Sequence, residues 1–575
     1  MNSDMDIETS SRKESEKILL VLLPFWTPLM PPMGISCLKS FLVDQGYNVK
    51  TVDANSVENL RETYEKYFDI LRKNIPVNKR SNFYSTGQDV LRNHMMAQIN
   101  HDDEIEYMIL VKELIYKNFY VEVSEELIDE LCRLLADFYR EFENYFLEIL
   151  EEEKPSVLGV SVYNGTLPAS VFACRLTRQK YPDIHIVMGG GVFADQLAPG
   201  TPNLDYFLET TRHFIDKIFI GEGELLFLEY LRKKLPDSRR VYTLEEIQWK
   251  TLDLSRARPP DFTDLDIQVY PYLGAYTSRS CPFQCKFCSE TVQWGKYRKK
   301  KAQQIVAELI HLYEKHGNPL FFMSDSLLNP VLNDLAEEFI KSPITLYWDA
   351  CIRAEKPVGD IANTWLWRRG GFYRARLGIE TASPRLLDLM GKKITPEQSR
   401  EALINLAYAG IKTSTLWVIG YPGETDEDFQ ETLDFIRDNQ DYIFQAEGTP
   451  FWYHQSGQVN SPQWGGQNQH SLLYPPTAAK MLITQTWIYR GEPSREKTYE
   501  RLNYFTAFCE KLGIPLTYSL HDIYEAEERW KKLHRNVVPS LQEIKNSPDC
   551  LEDIKQLKQL HYIRDRHEYS GDFDL

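Results

Sequence analysis

Three cysteines that lie close together, Cys281, Cys285 and Cys288, are the residues of this sequence best suited to chemistry. Their separation by three and then two residues lets one short loop wrap around a cubane, with each sulfur bound to a different iron of a [4Fe-4S] cluster. The fourth iron then has no protein ligand. A small molecule that carries an amine and a carboxylate can chelate that iron and receive an electron from the cluster.

Two other interpretations of this cysteine cluster are a structural zinc site and a set of unrelated buried thiols. A zinc site needs a fourth cysteine or histidine, and none follows the cluster before His311. The spacing therefore favours the iron–sulfur interpretation.

The composition is that of a soluble protein with several domains. The chain has 575 residues, of which 43% are hydrophobic and 26% are charged, and its net charge is −17. This length exceeds one compact core, so about two to four domains are expected. The negative charge disfavours a nucleic-acid partner. A basic run at residues 296–301 is interpreted as the solvated start of a helix, with steering of an anionic substrate or redox partner as the alternative.

The remaining cysteines and the N-terminus indicate a cytoplasmic location. The other cysteines lie far apart in the sequence and are expected to be buried thiols in a reducing compartment. Residues 1–16 are polar, unlike a signal or transit peptide, and are expected to be disordered. The apolar run at residues 18–25 is too short to cross a membrane, so no membrane association is expected.

Residues 17–248 are predicted to form a doubly wound, Rossmann-like α/β domain. Its predicted parallel strands are the short apolar runs at residues 18–24, 47–52, 157–162, 185–188 and 217–220. Ligands of such sheets bind at the carboxyl ends of the strands, and glycines there let a bulky ligand approach the backbone. An ordinary tight turn explains any one of these glycines equally well. The candidate binding residues are Trp26, Gly34, Asp53, Ser161, Tyr163, Gly165, Thr166, Gly189, Gly190, Gly191, Gly221, Glu222, Gly223 and Glu224.

An insertion at about residues 56–155 interrupts this domain. Apolar side chains between Leu131 and Leu150 keep helical spacing, and residues 87–120 are expected to hold another pair of helices. Packing of a helical subdomain is the favoured role. A cap over a cofactor or substrate entrance is the alternative.

A linker at residues 249–266 leads to a second domain, predicted at residues 267–444. Its strand candidates are residues 320–323, 345–350, 374–377 and 414–419. Periodic helices separate these runs, which predicts a second parallel sheet with functional groups where its strands end. The candidates there are Asp325, Asn329, Arg353, Glu380, Gly420, Tyr421 and Pro422. Glu380 suits an ammonium group and Arg353 suits a carboxylate or ribose hydroxyl, although each alone could form an ordinary salt bridge.

Residues 445–575 are expected to form a mostly helical region that shapes the substrate site. Helices are predicted at residues 476–489, 494–512 and 521–534. The loop before them is dense in aromatic side chains, amides and glycine, and its candidates for substrate contact are Tyr453, His454 and Trp464. Packing between domains is the alternative role of these aromatics.

The cysteine stretch YTSRSCPFQCKFCSE, with aromatic Phe287 before the last cysteine, resembles the signature loop of radical S-adenosylmethionine (SAM) enzymes, in the branch that carries an N-terminal cobalamin-binding domain. The stretches PPMGISCLKSFLVDQGYNVKTVDAN, LGVSVYNGT, VMGGGVFAD and FIGEGE resemble that domain. The resemblance implies a partial TIM-like (β/α)6 barrel and three cofactors: a [4Fe-4S] cluster, SAM and cobalamin. It assigns Phe287 and the strand-end residues of the second domain to SAM, and those of the first domain to cobalamin.

One departure from the family concerns the cobalt ligand. The common motif Asp-x-His-x-x-Gly, whose histidine coordinates cobalt, is absent from the strand-end loops of the first domain. The resemblance therefore implies cobalamin without a histidine lower ligand. Trp26 or its neighbours would then face the cobalt.

The leading functional hypothesis from this resemblance is a cobalamin-dependent radical SAM C-methyltransferase. The family cleaves SAM to a 5'-deoxyadenosyl radical, which would take hydrogen from an unactivated carbon of a peptide or small metabolite before methylcobalamin supplies the methyl group. One alternative is a cyclase, epimerase or rearrangement enzyme in which cobalamin is non-methylating or absent. Another is a cobalamin or iron–sulfur sensor or carrier. The expected protein partner is a cytoplasmic electron donor such as flavodoxin or ferredoxin.

Overall fold

The structure is a computed structural model that describes residues 17–27, 29–453, 470–516 and 520–534. These residues form two six-stranded sheets with helices packed on them, which confirms the predicted α/β class. The N-terminal segment 1–16 lies outside the described residues, as do His454 and Trp464. None of the helices in the described ranges combines the length and the apolar character that a membrane span needs.

The first sheet contains the six strands nearest the N-terminus. They are β1 (Lys17–Leu22), β2 (Asn48–Asp53), β3 (Val157–Ser161), β4 (His185–Gly189), β5 (Lys217–Phe219) and β6 (Val241–Tyr242). Their order in the sheet is β2-β1-β3-β4-β5-β6, and all neighbours run parallel. The strand order reverses between β1 and β3, which is the position where open α/β sheets bind ligands beyond the carboxyl ends of their strands.

In the described part of the chain, eight α-helices accompany this sheet. They are α1 (Met33–Asp44), α2 (Glu58–Asn74), α3 (Phe83–Asn100), α4 (Glu104–Phe119), α5 (Glu125–Glu153), α6 (Leu167–Lys180), α7 (Pro202–Thr210) and α8 (Gly223–Leu231). The insertion supplies α2 to α5, and its Phe138 and Phe142 share one buried core with Leu19 and Val21 of β1. The insertion therefore packs as a helical subdomain that is continuous with one face of the sheet.

The segment predicted as a linker is docked on the first domain. Asp264 accepts a hydrogen bond from the Thr51 backbone N–H at 2.8 Å and pairs with Lys39 at 2.8 Å. Just beyond it, the Tyr270 hydroxyl donates to Asp53 at 2.6 Å. These buried contacts hold the start of the second domain against the strand ends of the first.

The second sheet is built from strands that follow one another along the chain. The strands of this half are β7 (Leu273–Ala275), β8 (Ser278–Arg279), β9 (Arg298–Lys299), β10 (Leu320–Met323), β11 (Tyr347–Arg353), β12 (Phe372–Glu380), β13 (Lys412–Ile419) and β14 (Gln445–Pro450). The sheet order is β7-β10-β11-β12-β13-β14, all parallel, while β8 and β9 form a separate antiparallel pair. The accompanying helices are α9 (Glu290–Trp294), α10 (Ala302–His316), α11 (Leu332–Lys341), α12 (Ile361–Arg369), α13 (Pro384–Leu389), α14 (Pro396–Tyr408) and α15 (Asp426–Asp438). Successive βα units laid side by side give the predicted partial barrel.

The sixth barrel strand corrects the predicted end of the second domain at residue 444. Strand β14 pairs with β13 along its whole length, so the sheet extends to Pro450. Its sequence, QAEGTP, is not the apolar run that marks a buried strand. Strand β14 is recognised as a strand only from its parallel pairing with β13 in the structure.

The predicted helix at residues 476–489 is also wrong. The structure has only α16 (Ala479–Leu482) there, and β15 (His470–Leu472) then pairs antiparallel with β16 (Trp487–Tyr489). The helix ends at Ile483, whose φ of +60° is outside the helical region, and the following TWIY residues favour a strand. Helices α17 (Arg495–Lys511) and α18 (Leu520–Leu533) lie close to their predicted ranges.

Candidate active site

The loop that carries the three cysteines is held at its base by the β8–β9 pair. Ser278 and Arg279 pair with Lys299 and Arg298, so the chain leaves and rejoins a short antiparallel ribbon. The middle of the loop is anchored where the Lys286 N–H donates to the Met390 carbonyl at 2.9 Å. The loop is therefore fixed at both its base and its centre.

The three thiols of this loop are free of disulfides. Cys285 is buried, whereas Cys281 and Cys288 are half-buried. Burial raises the pKa of Cys288 to about 12 and also raises that of Cys281, so without a bound cation both remain neutral thiols. Three free thiols in one short loop are the donor set that an iron–sulfur cluster uses.

Within the part of the chain that the structure describes, no three histidine, cysteine or acidic side chains are grouped closely enough to bind one ion. A cubane does not require such a grouping, because each thiolate binds a different iron.

Arg353, at the end of β11, lies directly against the cysteine loop. Its Nη1 is 3.5 Å from Cys285 Sγ, and its guanidinium lies 4.1 Å from the centre of the Phe283 ring. Although the side chain is buried, its Nε and Nη2 have no hydrogen-bond partner. The arrangement places an incompletely paired positive charge beside a thiol that would bind iron.

Asp325 and Asn329, predicted to bind SAM, are both engaged with protein groups. Asp325 accepts hydrogen bonds from the backbone N–H and the hydroxyl of Thr277, at 2.9 and 2.7 Å, and so fixes the chain just before β8. Asn329 exchanges two hydrogen bonds of 2.9 Å with the backbone of Arg353. In this structure both residues position their neighbours in the site.

Glu380 ends β12 in a strained conformation. Its φ is +70°, and the pairing register with β13 shifts between Gly378 and Glu380. Its carboxylate pairs with the buried Lys392 at 2.6 Å, and that ammonium lies 5.6 Å from the Phe287 ring of the cysteine loop. The strained backbone holds the carboxylate next to the loop.

The turn Gly420-Tyr421-Pro422 after β13 is fixed by an acidic residue that follows it, Glu424. The Gly420 N–H donates to Glu424 at 2.9 Å, and Glu424 pairs with Arg501 of α17 at 2.7 Å. Burial raises the pKa of Glu424 to about 7, although Arg501 opposes this shift. Tyr421 is buried, with its ring 5.3 Å from Phe451.

At the switch point of the first sheet, Trp26 presents an exposed aromatic surface. Its side chain is 44% exposed, its backbone N–H donates to Asn55, and its ring lies 4.7 Å from the Tyr163 ring. A Cβ added to Gly34 would lie 3.7 Å from the Tyr163 hydroxyl and 3.8 Å from the Ser161 hydroxyl, so these residues share one small surface. A large apolar side chain exposed at strand ends is suited to contact with a flat ligand.

Most of the predicted glycines are required by close packing within the protein. A Cβ at Gly190 would lie 2.5 Å from the Val162 backbone, and one at Gly165 would lie 2.8 Å from the Phe25 carbonyl. Gly189, Gly191 and Gly221 are similarly close to Phe219, Tyr163 and Leu244. Gly223 alone of the predicted strand-end glycines meets no other atom within 4 Å. Protein packing accounts for Gly165, Gly189, Gly190, Gly191 and Gly221 without a ligand.

Asp53 and Thr166 also bind protein groups. Asp53 accepts hydrogen bonds from Asn55 and from the Tyr270 hydroxyl, and burial raises its pKa. The Thr166 hydroxyl accepts from the Tyr163 N–H at 2.9 Å. Both residues shape the loops in which they were predicted to bind cofactor.

Glu222 and Glu224, at the end of β5, join the first domain to the cysteine loop. Glu222 Oε2 is 2.9 Å from Arg279 Nη1, and Glu224 also pairs with Arg279. Glu222 further pairs with Arg298 of β9. This group of four side chains, called the ribbon ion cluster below, ties the strand ends of the first sheet to the base of the cysteine loop.

Tyr453 stacks on the ring of His470 at 5.9 Å, which brings it to the β15–β16 hairpin. The other predicted substrate contacts, His454 and Trp464, are not in the described residues. Sequence reasoning missed Lys392, Arg279, Arg298 and Arg501. Arg279 lies within the cysteine stretch and Arg298 within the basic run at residues 296–301, whereas no local pattern marks Lys392 or Arg501.

One sequence family matches part of this chain. Residues 276–436 match the family described as the Radical SAM superfamily. An uncharacterized methyltransferase of Pyrococcus horikoshii is 26% identical over 333 residues, which cover 53% of this chain and 69% of that protein. The anaerobic magnesium-protoporphyrin IX monomethyl ester cyclase of Rubrivivax gelatinosus is 27% identical over 332 residues, which cover 52% of this chain and 57% of that protein.

Solved structures resemble the chain over nearly its whole length. The radical S-adenosylmethionine methyltransferase TsrM from Kitasatospora setae, with tryptophan substrate and a SAM analog bound, has a TM-score of 0.57 and 14% identity over 97% of this chain and 98% of that one. The cobalamin-dependent S-adenosylmethionine radical enzyme OxsB, with aqua-cobalamin and S-adenosylmethionine bound, has a TM-score of 0.55 and 14% identity over 97% of this chain and 78% of that one. At these identities the likeness concerns the fold.

Proposed function

We propose that this chain, whose residues 276–436 match the Radical SAM superfamily, is a cobalamin-dependent enzyme that methylates an unactivated carbon. The observation that carries the proposal is the ribbon ion cluster. It joins the ligand-binding edge of the first sheet to the cysteine loop of the second domain. Transfer of a methyl group from one cofactor to a substrate radical formed at another requires the two cofactor sites to be held at a fixed separation.

Cysteines 281, 285 and 288 would hold the [4Fe-4S] cluster. When bound, the cluster and SAM supply a radical that abstracts hydrogen, and cobalamin supplies the methyl group. The protein must then position groups and exclude water. Arg353 would offset the negative charge of the thiolates, since its guanidinium lies 3.5 Å from Cys285 Sγ.

SAM would be held by the strand ends around the loop. The Glu380 carboxylate suits the ammonium of its methionine part. Lys392 pairs with Glu380 in this structure, so this ion pair would have to weaken when SAM binds. The buried, incompletely paired guanidinium of Arg353 suits its carboxylate or ribose hydroxyls. Phe287 and the Gly420-Tyr421-Pro422 turn would line the same space.

Cobalamin would lie at the switch point of the first sheet. The exposed ring of Trp26 and the adjoining Tyr163 offer a flat aromatic surface, while Gly34 and Gly223 leave room beside the backbone. The strand-end loops of the first domain contain no histidine that could bind the cobalt. The relation of these residues to cobalamin is supported by likeness of fold to enzymes that bind it.

A second candidate function is a cyclisation or related rearrangement without methyl transfer. It is favoured by the 27% identity to a monomethyl ester cyclase. The same cysteine loop and strand ends would serve either reaction, because both reactions would begin with hydrogen abstraction from the substrate. The substrate is proposed to be a small molecule or peptide, with a cytoplasmic flavodoxin or ferredoxin as electron donor.

Reaction with SAM labelled at its methyl group distinguishes the two candidates. The full chain, reconstituted anaerobically with iron, sulfide and cobalamin, is incubated with a reductant and candidate substrates. Label in the product together with deoxyadenosine supports methylation. Deoxyadenosine with an unlabelled, altered product supports the second candidate, and no deoxyadenosine at all contradicts both. A Cys288→Ala variant is the control, and the cobalamin absorbance spectrum of the reconstituted protein tests that cofactor separately.

A further inference from the structure

Arg376 lies on the inner face of the barrel, away from the residues assigned to the cofactors. It precedes Glu380 by four positions on β12, which places it about 13 Å further from the strand ends. Its side chain is 19% exposed, and Phe322 and Cys351 on the two preceding strands are also only partly buried. The barrel therefore has an interior space that solvent can reach beside this arginine.

The guanidinium of Arg376 is only partly satisfied by the protein. Its Nη2 donates to the Met323 carbonyl at 2.6 Å and lies 3.5 Å from Asp349 Oδ1. Its Nε is buried without a partner, and its Nη1 has no hydrogen bond to any described residue. One face of the group is covered by the Phe322 ring at 3.9 Å. The edge of the guanidinium is thus the part that a ligand can use.

The surrounding charges leave this arginine without full neutralisation. Asp349 is completely buried, and its closer partner is Arg374, whose Nη2 is 2.6 Å away. One carboxylate therefore serves two guanidinium groups. Arg376 is the more weakly paired of the two, since its contact with Asp349 is 3.5 Å and that of Arg374 is 2.6 Å.

A role in bracing the sheet does not account for this arrangement. Arg374 shows what a bracing arginine looks like here, since it bonds Asp349 through both Nε and Nη2 and also bonds the Tyr272 hydroxyl. Arg376 instead keeps N–H groups without partners, which is costly for a buried cation unless a ligand completes them.

We propose that Arg376 binds a carboxylate of the substrate inside the barrel. The inference rests on the proposed function, because it takes the barrel interior to be the substrate site. The free N–H groups along the edge of this guanidinium match the two oxygens of a carboxylate. The substrate class is therefore a small or peptidic molecule whose carboxylate lies at Arg376 and whose reacting carbon extends toward the strand ends.

Binding of a matched pair of probes tests this assignment. 3-Phenylpropionate and its neutral amide differ only in the group that would meet Arg376, and their affinities for the full chain can be measured by calorimetry or ligand-observed NMR. We expect the wild-type protein to bind the carboxylate at least tenfold more tightly than the amide. Arg376→Gln should reduce that ratio to less than twofold, and Arg376→Lys should give an intermediate ratio. Arg140→Gln, at a 75% exposed position, should leave the ratio unchanged.

Equal affinity of the wild-type protein for both probes, or failure of both to bind, would overturn the proposal. So would a carboxylate preference that survives in Arg376→Gln. If Arg376→Gln does not fold, as judged by its circular dichroism, the carboxylate-to-amide affinity ratio of Arg376→Lys is compared with that of the wild type. An unchanged ratio would then overturn the proposal. Binding requires neither the cluster nor methyl transfer. Absence of methyl transfer by the wild-type protein, with an intact carboxylate preference, would therefore count against the proposed function and not against the binding of a carboxylate at Arg376.

Discussion

Arg279 donates to Glu222 at 2.9 Å across the junction between the two domains. Arg279 lies two residues before Cys281, and Glu222 follows β5 of the first sheet. Both side chains are buried, and Glu224 and Arg298 complete the ribbon ion cluster. Charges removed from water in this way stabilise a structure only while they remain paired.

Replacing Arg279 by alanine should destabilise the chain strongly. The change leaves Glu222 with Arg298 and leaves Glu224 buried without its partner, which corresponds to a loss of about 3–5 kcal/mol. Urea unfolding measures the loss. Arg256→Ala is the control, because Arg256 is 86% exposed and its nearest carboxylate is 3.9 Å away, and it should change stability by less than about 0.5 kcal/mol. Similar effects of the two variants would mean that the ribbon ion cluster does not join the domains.

The positive charge of Arg353 should raise the reduction potential of the bound cluster. Its Nη1 lies 3.5 Å from Cys285 Sγ, and a cation beside a thiolate favours the electron-rich state. Arg353→Met should lower the midpoint potential by on the order of tens of millivolts. A redox titration followed by electron paramagnetic resonance gives the value. Arg353→Lys should lower it less, and an unchanged potential in Arg353→Met would contradict the placement of this charge.

Glu424 should make stability fall as pH rises. Burial raises the pKa of its carboxyl from 4.5 to about 7, so the folded chain keeps a proton that the unfolded chain has released. The favourable contribution is therefore fully present below about pH 4.5 and is lost as pH approaches about 7. The total loss is about 3 kcal/mol. Denaturation at several pH values should show this slope in the wild type and not in Glu424→Gln. Parallel pH profiles for the two proteins would show that the carboxyl does not titrate in this range.

The elements that were predictable are those whose signal is local. Strand β10 was predicted with its observed bounds because an apolar run of four residues lies between Pro319 and Ser324. The strands β6 and β14 were missed, since the first has two residues and the second has no apolar run. Their pairing with a neighbour, which the sequence does not display, is what makes them strands.

The candidate site divides in the same way. The three cysteines are marked by spacing alone, so their loop could be found without a structure. The ion partners of the acidic residues could not, because Arg501 follows Glu424 by 77 residues and Arg279 follows Glu222 by 57. Asp325 shows that a carboxylate at a strand end can also bind the backbone of the adjoining loop.

Each cysteine of the loop should be needed for iron binding. The reconstituted wild type should hold about four iron atoms per chain, and Cys281→Ala, Cys285→Ala and Cys288→Ala should each lose most of them. Iron and sulfide analysis of anaerobically reconstituted protein gives the count. Cys37→Ala is the control because that thiol lies outside the loop. Retention of the full iron content after all three replacements would refute the cluster assignment.

Phe142 tests whether the insertion belongs to the core of the first domain. Its ring is fully buried, stacks on Phe138 at 5.6 Å and shares a core with β1. Phe142→Ala should therefore cost about 3–5 kcal/mol, because it removes buried apolar surface and leaves a cavity. Ile105→Ala, at a 72% exposed position of α4, is the matched control and should cost less than about 0.5 kcal/mol. If the insertion were a separate cap, Phe142→Ala would lower the midpoint temperature of an early unfolding transition and leave that of the main transition unchanged. If the insertion is continuous with the sheet, the midpoint temperature of the main transition itself falls. Calorimetry of the two variants distinguishes these results.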